Sequence, residues 1–173
     1  MSLADNAVLD LESSMRLARV LLVPVCTAAL VAPVFVAPGE AATPPLKFGK
    51  WFVDLPGRGA DKGTPANLNK EYIVITNTTK KAISLKGYRV RDRGAKHTYT
   101  FGAFTLGAKK SVTLHTGSGK NNSANVYWGQ RYFVWNNNGD TAQLLNAKAK
   151  PVTTCTYTKP ARNTNTTGGW KNC

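Results

Sequence analysis

The sequence predicts an all-β domain, an antiparallel sandwich or barrel, preceded by a cleavable secretory signal peptide. Between Glu71 and Tyr157, short segments dense in β-branched and aromatic residues recur at close spacing, with Gly, Asn, Lys or Asp between them. No helical period of adequate length interrupts them. Ahead of this region Arg16 and Arg19 precede a long apolar run from Val20 to Val36, the order found in a secretory signal.

The leader is assigned to residues 1–42. Small residues at Gly39, Ala41 and Ala42 place cleavage after Ala41 or Ala42, leaving Thr43 or its neighbour at the mature N-terminus, whereas Pro38 disfavours cleavage after Ala37. An uncleaved anchor competes with this reading. Pro24 and Pro33 interrupt a run already short of the roughly 20 apolar residues a span needs, so no transmembrane anchor is expected after processing. Asp5, Asp10 and Glu12 are unlike a positively charged signal start, so either Met15 begins the protein or the leader is long. Lipidation at Cys26 is disfavoured by Val25, which stands where a lipoprotein signal carries a small residue.

Residues 43–68 read as a lead strand around Trp51-Phe52-Val53 and a surface loop rich in Gly, Asp, Lys and Pro. Glu71 to Thr76 is dense enough in apolar residues to predict a strand buried on both faces, ended by Asn77-Thr78-Thr79. Short strands follow at Ala82 to Leu85, Gly87 to Arg91, His97 to Phe101 and Ser111 to His115. Thr141 to Leu145 and Pro151 to Tyr157 read as the last two strands, joined by Asn146 to Lys150. In Asn136-Asn-Asn-Gly-Asp140, Asn and Gly tolerate positive φ and Asp140 can accept from nearby backbone N–H groups, which predicts a tight inter-strand turn after a core Trp135. Residues 158–173 form a polar tail composed for disorder, held by its final cysteine.

That tether follows from compartment. Cys26 leaves with the signal, and Cys155 and Cys173 remain as an even pair that should join in an oxidising environment. Removing the leader also raises the charge. Arg16 and Arg19 go from the 23 basic residues, and Asp5, Asp10, Glu12 and Glu40 from the 9 acidic ones; 21 against 5 remain, a formal +16 in place of +14. Such an excess predicts attraction to polyanions.

A family resemblance runs through the same segments. Asn69-Lys-Glu-Tyr-Ile-Val-Ile-Thr-Asn77, Ile83-Ser-Leu-Lys-Gly-Tyr-Arg-Val-Arg-Asp92, Tyr99-Thr-Phe101 with Phe104-Thr-Leu106, Val112-Thr-Leu-His-Thr-Gly117, Trp128-Gly129 and Val134-Trp-Asn-Asn-Asn-Gly-Asp-Thr-Ala-Gln-Leu144 occur in the order of a lamin-tail domain. Over residues 69–157 the chain resembles an exported bacterial member of that family. The resemblance implies an immunoglobulin-like β-sandwich serving as a non-catalytic module. Neither a long heptad rod nor an enzyme domain accompanies it in this chain.

Catalytic and metal-binding patterns are not found. The mature sequence offers His97, His115, two cysteines expected to be oxidised and five scattered acids, with no ligand spacing among them, so no metal or cofactor is implied. Asp140 lacks the companion carboxylates that calcium requires. Ser111, Ser118 and Ser123 stand in no nucleophile motif, and Gly117-Ser-Gly-Lys120 lacks the strand-to-helix setting of a phosphate loop. The chain is not expected to be an enzyme.

The functional lead is the basic surface. Strand alternation puts Arg89 and Arg91 on the face opposite Tyr88 and Val90, with Arg93 extending the row if the strand continues. Alternate arginines would stand roughly 6.6 Å apart, close to two phosphate steps of a nucleic-acid strand. Lys80, Lys81, Lys96, Lys109, Lys110, Lys120 and Arg131 fall mainly in turns, where they form one or two positive patches at the sandwich ends. These residues are the candidates for binding an anionic cell-envelope polymer or another polyanion. The alternatives are a structural, self-associating envelope protein and an extracellular nucleic-acid binder. Tyr88, Tyr127, Trp128, Tyr132 and Trp170 are the aromatic candidates for contact with a ligand. The expected location is secreted or envelope-associated, and the oligomeric state is left open.

Overall fold

Alternation along the first segment establishes the inner face of the sandwich. In a computed structural model, residues 43–57, 64–161 and 168–173 are described, all within a compact unit that begins at Glu40. The expected leader lies outside the described residues. Strand β1 (Leu46–Asp54) buries Leu46 and Phe48, then Trp51 and Val53. The change of phase falls at Gly49 and Lys50, where one extra residue interrupts the pairing with β2 (Tyr72–Asn77) and returns Trp51 to the interior.

Strand β2 differs from its expectation. Ile73 and Ile75 are fully buried, but Tyr72, Val74 and Thr76 face outward and are only half covered. The reason is architectural: among the described residues no second layer covers the outer face of this sheet. Its order is β11 (Gly169–Asn172), β1, β2, β7 (Ser111–His115) and β8 (Asn125–Tyr127), antiparallel except for the parallel β7–β8 pair. The opposing sheet runs β10 (Pro151–Thr158), β9 (Gly139–Leu145), β4 (Arg89–Arg91) and β5 (Thr98–Thr100). A two-stranded ribbon of β3 (Ile83–Ser84) and β6 (Thr105–Leu106) completes the immunoglobulin-like sandwich. The expected loop before β2 contains a one-turn helix, α1 (Pro65–Leu68), started by Pro65 and capped by the Thr64 hydroxyl, which accepts from the Asn67 N–H.

A chain of rings crosses the core. Trp51 meets Tyr157 at 6.2 Å and Trp135 at 4.9 Å, Trp135 meets Trp128 at 5.7 Å, and Trp128 meets Tyr99 at 6.0 Å, all edge-on. Such contacts add about 0.5–1.5 kcal/mol each beyond area burial. They link β1 to both edges of the opposing sheet. Burial also pushes the Tyr99 phenol above its ordinary pKa.

The tail is not merely tethered. Its last residues form β11, an edge strand paired with β1 through Phe52↔Trp170 and Trp51↔Lys171, so Thr141 to Leu145 and Pro151 to Tyr157 are not the last strands. Composition hid this strand, because its order comes from long-range pairing and from the Cys155–Cys173 disulfide, whose Cα atoms are 5.8 Å apart. The bond joins the edge of one sheet to the edge of the other. Gly168, at φ +66°, lets the chain enter β11 where a side chain would meet the Asp54 carbonyl.

Buried polar groups fasten the irregular connections. The Glu71 carboxylate, fully buried, accepts from the Val134 N–H at 3.0 Å, the Trp135 N–H at 2.9 Å and the Thr116 hydroxyl at 2.5 Å. Asp140 accepts from the N–H groups of Asn136, Thr141 and Arg93, which forms the expected turn; Gly139 supplies its positive φ. At the other end, the fully buried Asn77 donates to the carbonyls of Lys81, Leu106 and Gly107 and accepts from Thr79. The Asn77-Thr78-Thr79 motif is therefore turn chemistry here, since its side-chain amide is inside.

Two outcomes follow. Glu71→Ala should cost about 3 kcal/mol or more in urea unfolding, because two buried N–H groups lose their acceptor. Cys173→Ser should cost about 3 kcal/mol, as expected for a loop of this length, and should speed amide exchange in Gly169–Asn172 ahead of the rest of the sheet.

Candidate functional site

The charge distribution separates inside from outside by sign. Asp54, Glu71, Asp92 and Asp140, the carboxylates among the described residues, are all buried, none more than 8% exposed. Asp92 is spent inside a turn: His97 Nδ1 lies 2.8 Å from Asp92 Oδ2, and Asp92 also accepts from the His97 N–H. No described lysine or arginine is paired with a carboxylate. The exposed charged side chains among the described residues are all lysine or arginine.

Strand direction sorts the predicted cations into three groups. At the end where β2 finishes, the Asn77 knot draws together Lys80 and Lys81 from one turn and Lys109 and Lys110 from another: Asn77 donates to Lys81 O and to Lys110 O, and Lys109 N–H donates to Thr79 O. Lys109 Nζ also donates to Thr78 O. Lys47, paired in register with Thr76, joins them beside a cleft of about 390 Å³ lined by Thr43, Lys47, Thr76, Asn77, Thr78 and Lys109. This is a basic end built from three separate stretches of chain.

At the opposite end stand Arg93, Lys96, Lys120 and Arg131, all exposed. Arg89 and Arg91 lie between the ends on the outer face of the four-stranded sheet, half-buried, with Arg91 Nε donating to Gln143 Oε1 at 2.7 Å. Arg93 does not extend their row. Strand β4 stops at Arg91 because the chain turns at Asp92, whose carbonyl accepts from Ala95 N–H and whose carboxylate holds His97.

The outer face of the five-stranded sheet carries something different. Trp170, Phe52, Tyr72, His115 and Tyr127 occupy one row across all five strands, each the register partner of the next. Ring centroids are 5.9 Å apart for Phe52–Tyr72, 5.9 Å for Tyr72–His115 and 5.0 Å for His115–Tyr127. His115 is fixed at both nitrogens, Nδ1 on Asn69 O and Nε2 on the Asn125 side chain. Lys50 Nζ stands 5.8 Å from the Phe52 ring centre and 5.4 Å from that of Trp170. A cleft of about 530 Å³ opens on the row, lined by Phe52, Pro56, Asn69, Lys70, Tyr72 and His115.

Of the aromatic candidates, Trp170 and Tyr127 belong to this row. Tyr88 and Trp128 pack against the core, and Tyr132 is exposed beside Arg131. Phe52, Tyr72 and His115 were not singled out as ligand contacts. Alternation marks each as outward-facing, but only cross-strand register aligns them.

Comparison with known families matches the Lamin Tail Domain to residues 55–159, the stretch that holds β2 to β10. The chain belongs to the lamin tail domain family. No curated protein matches it. The family is one of immunoglobulin-like, non-enzymatic modules. In this lamin tail domain the matched stretch contains Tyr72, His115 and Tyr127, whereas Phe52 and Trp170 lie outside it, on β1 and on the edge strand β11.

The exposure of Trp170, 41% against 0% for Trp51 and 3% for Trp135, gives the row an optical signature. Acrylamide should quench a distinct fraction of the lamin tail domain's tryptophan emission, and Trp170→Phe should remove most of that fraction.

Proposed function

We propose that this lamin tail domain is an exported, non-catalytic binding module that attaches to a polyanion through its basic surface, with anionic envelope polymers as the first choice of ligand. One observation carries the reading: every side-chain carboxylate among the described residues is buried, so the described surface lysines and arginines stand unpaired with any of them. Solubility alone is served by mixed charge. A surface of one sign instead raises the local concentration of an oppositely charged polymer and speeds encounter with it.

The same feature weighs against self-association. Two copies approaching at low ionic strength would bring like charges together, at an energetic cost that salt alone relieves. Attachment to released nucleic acid shares the polyanion chemistry and differs in what else the ligand offers. The basic end around Asn77 is the densest cluster, with Lys47, Lys80, Lys81, Lys109 and Lys110 on backbone that the buried amide holds in place.

Binding of the protein to an immobilised anionic polymer should weaken by about a hundredfold or more between roughly 50 and 200 mM salt, as counterion release requires when several cations engage. Joint replacement of Lys80, Lys81, Lys109 and Lys110 by Gln should reduce both the affinity and the salt slope while leaving the melting temperature nearly unchanged. Replacement of Arg89, Arg91 and Arg93 by Gln should have the smaller effect, because the three no longer form a row. Salt-independent retention would contradict the reading.

A further inference from the structure

We propose that the aromatic row on the outer face of the five-stranded sheet is a binding site for an acidic polysaccharide, a polymer of sugar rings bearing carboxylates. The proposal rests on the polyanion reading and assigns it a place and a ligand class. Four aligned rings, Trp170, Phe52, Tyr72 and His115, form a strip that crosses the strands. With strands about 4.8 Å apart, the strip from Trp170 to His115 is roughly 14 Å long, enough for two or three linked sugars.

The chemistry of the strip matches such a polymer on two counts. The C–H faces of a pyranose are apolar and pack on aromatic rings, and the shallow cleft over Phe52, Tyr72 and His115 has the size of a small-ligand site. Lys50 beside Phe52 and Trp170, and Lys70 on the cleft wall, both exposed, then meet carboxylates along the chain. The Tyr72 hydroxyl supplies a hydrogen-bonding group for sugar hydroxyls. Anionic polyol phosphates have no rings for the strip, and duplex nucleic acid keeps its rings inside.

Neighbouring rings within the strip also touch one another. Phe52 and Tyr72 are nearly parallel, at 18°, with centroids 5.9 Å apart. A base inserted between two rings needs about twice the 3.4 Å stacking distance, so this pair offers no slot for intercalation. At the far end Tyr127 is closed over: a side chain at Gly119 would lie 2.5 Å from its ring. The open part of the strip therefore runs from Trp170 to His115, and its outermost ring depends on the disulfide that holds β11.

The test is titration of the full chain with oligogalacturonate, polyphosphate and oligodeoxythymidine, read by Trp fluorescence and by calorimetry, for wild type, Trp170→Ala and Tyr72→Leu. Folding of each variant is checked by its melt, and Trp170→Tyr serves as the conservative rescue. Oligogalacturonate should shift the emission of the wild type, and its affinity should fall roughly tenfold or more in Trp170→Ala, as for a lost aromatic anchor. Trp170→Tyr should restore it, and polyphosphate should bind all forms alike. If oligogalacturonate binds folded Trp170→Ala and Tyr72→Leu as tightly as wild type, the strip is not the site, although the polyanion reading stands. If no anion binds, both fall. If oligodeoxythymidine binds more tightly than oligogalacturonate and depends on Trp170, the strip is a nucleobase platform and the polysaccharide assignment is overturned.

Discussion

The fully buried carboxylate of Glu71 is the constraint on which the crossing between the two sheets depends. It sits just before β2, at the margin of one sheet, and accepts from the N–H groups of Val134 and Trp135, in the segment that leads into the other. A buried N–H without an acceptor is costly, and a buried carboxylate without donors costs more; each solves the other's problem. The connection held there positions Trp135 against Trp51 and Trp128, and from those contacts the ring chain reaches Tyr99 and Tyr157. The core and the crossing between sheets are thus anchored on one acid.

The same use of acids repeats and has an external consequence. Asp140 ties Asn136, Thr141 and Arg93 together, and Asp92 closes the turn to His97. Carboxylates that complete irregular backbone inside the domain are not available outside to pair with lysine. A domain with few acids, most of them internal, necessarily presents a cationic surface. Its charge is in this sense a by-product of how its turns are satisfied, and the polyanion reading rests on what that surface can then do. Asn77 performs the corresponding task at the far end with a neutral amide, and the lysines around it are brought together by the turns it fastens.

Much of this was legible in local sequence. Ser111 to His115 forms a strand with the expected bounds, Asn136 to Asp140 makes the turn its residues favour, and Trp135 is core. What could not be read depends on pairing between distant segments. Strand β11 has a tail's composition, and only its partners in β1 and Cys155 make it a strand. The outward half of Glu71 to Thr76 looks as apolar as a buried strand, because Tyr72 and Val74 serve an open face. Arg89 and Arg91 share a face as alternation requires, but Asp92 ends the strand before Arg93. For the candidate site, composition supplied the cations and alternation supplied outward positions. Grouping four lysines at one end and aligning five rings in one row required the register.

The central claim is that the cationic exterior left by internal carboxylates engages a polyanion. Backbone amide shifts of the protein titrated with an anionic polysaccharide, recorded at low and at high salt, test it most directly. The account predicts low-salt shifts concentrated at Lys80, Lys81, Lys109 and Lys110 and along Trp170, Phe52, Tyr72 and His115, with the lysine set collapsing at high salt. An absence of shifts at low salt, or shifts spread evenly and indifferent to salt, would contradict it.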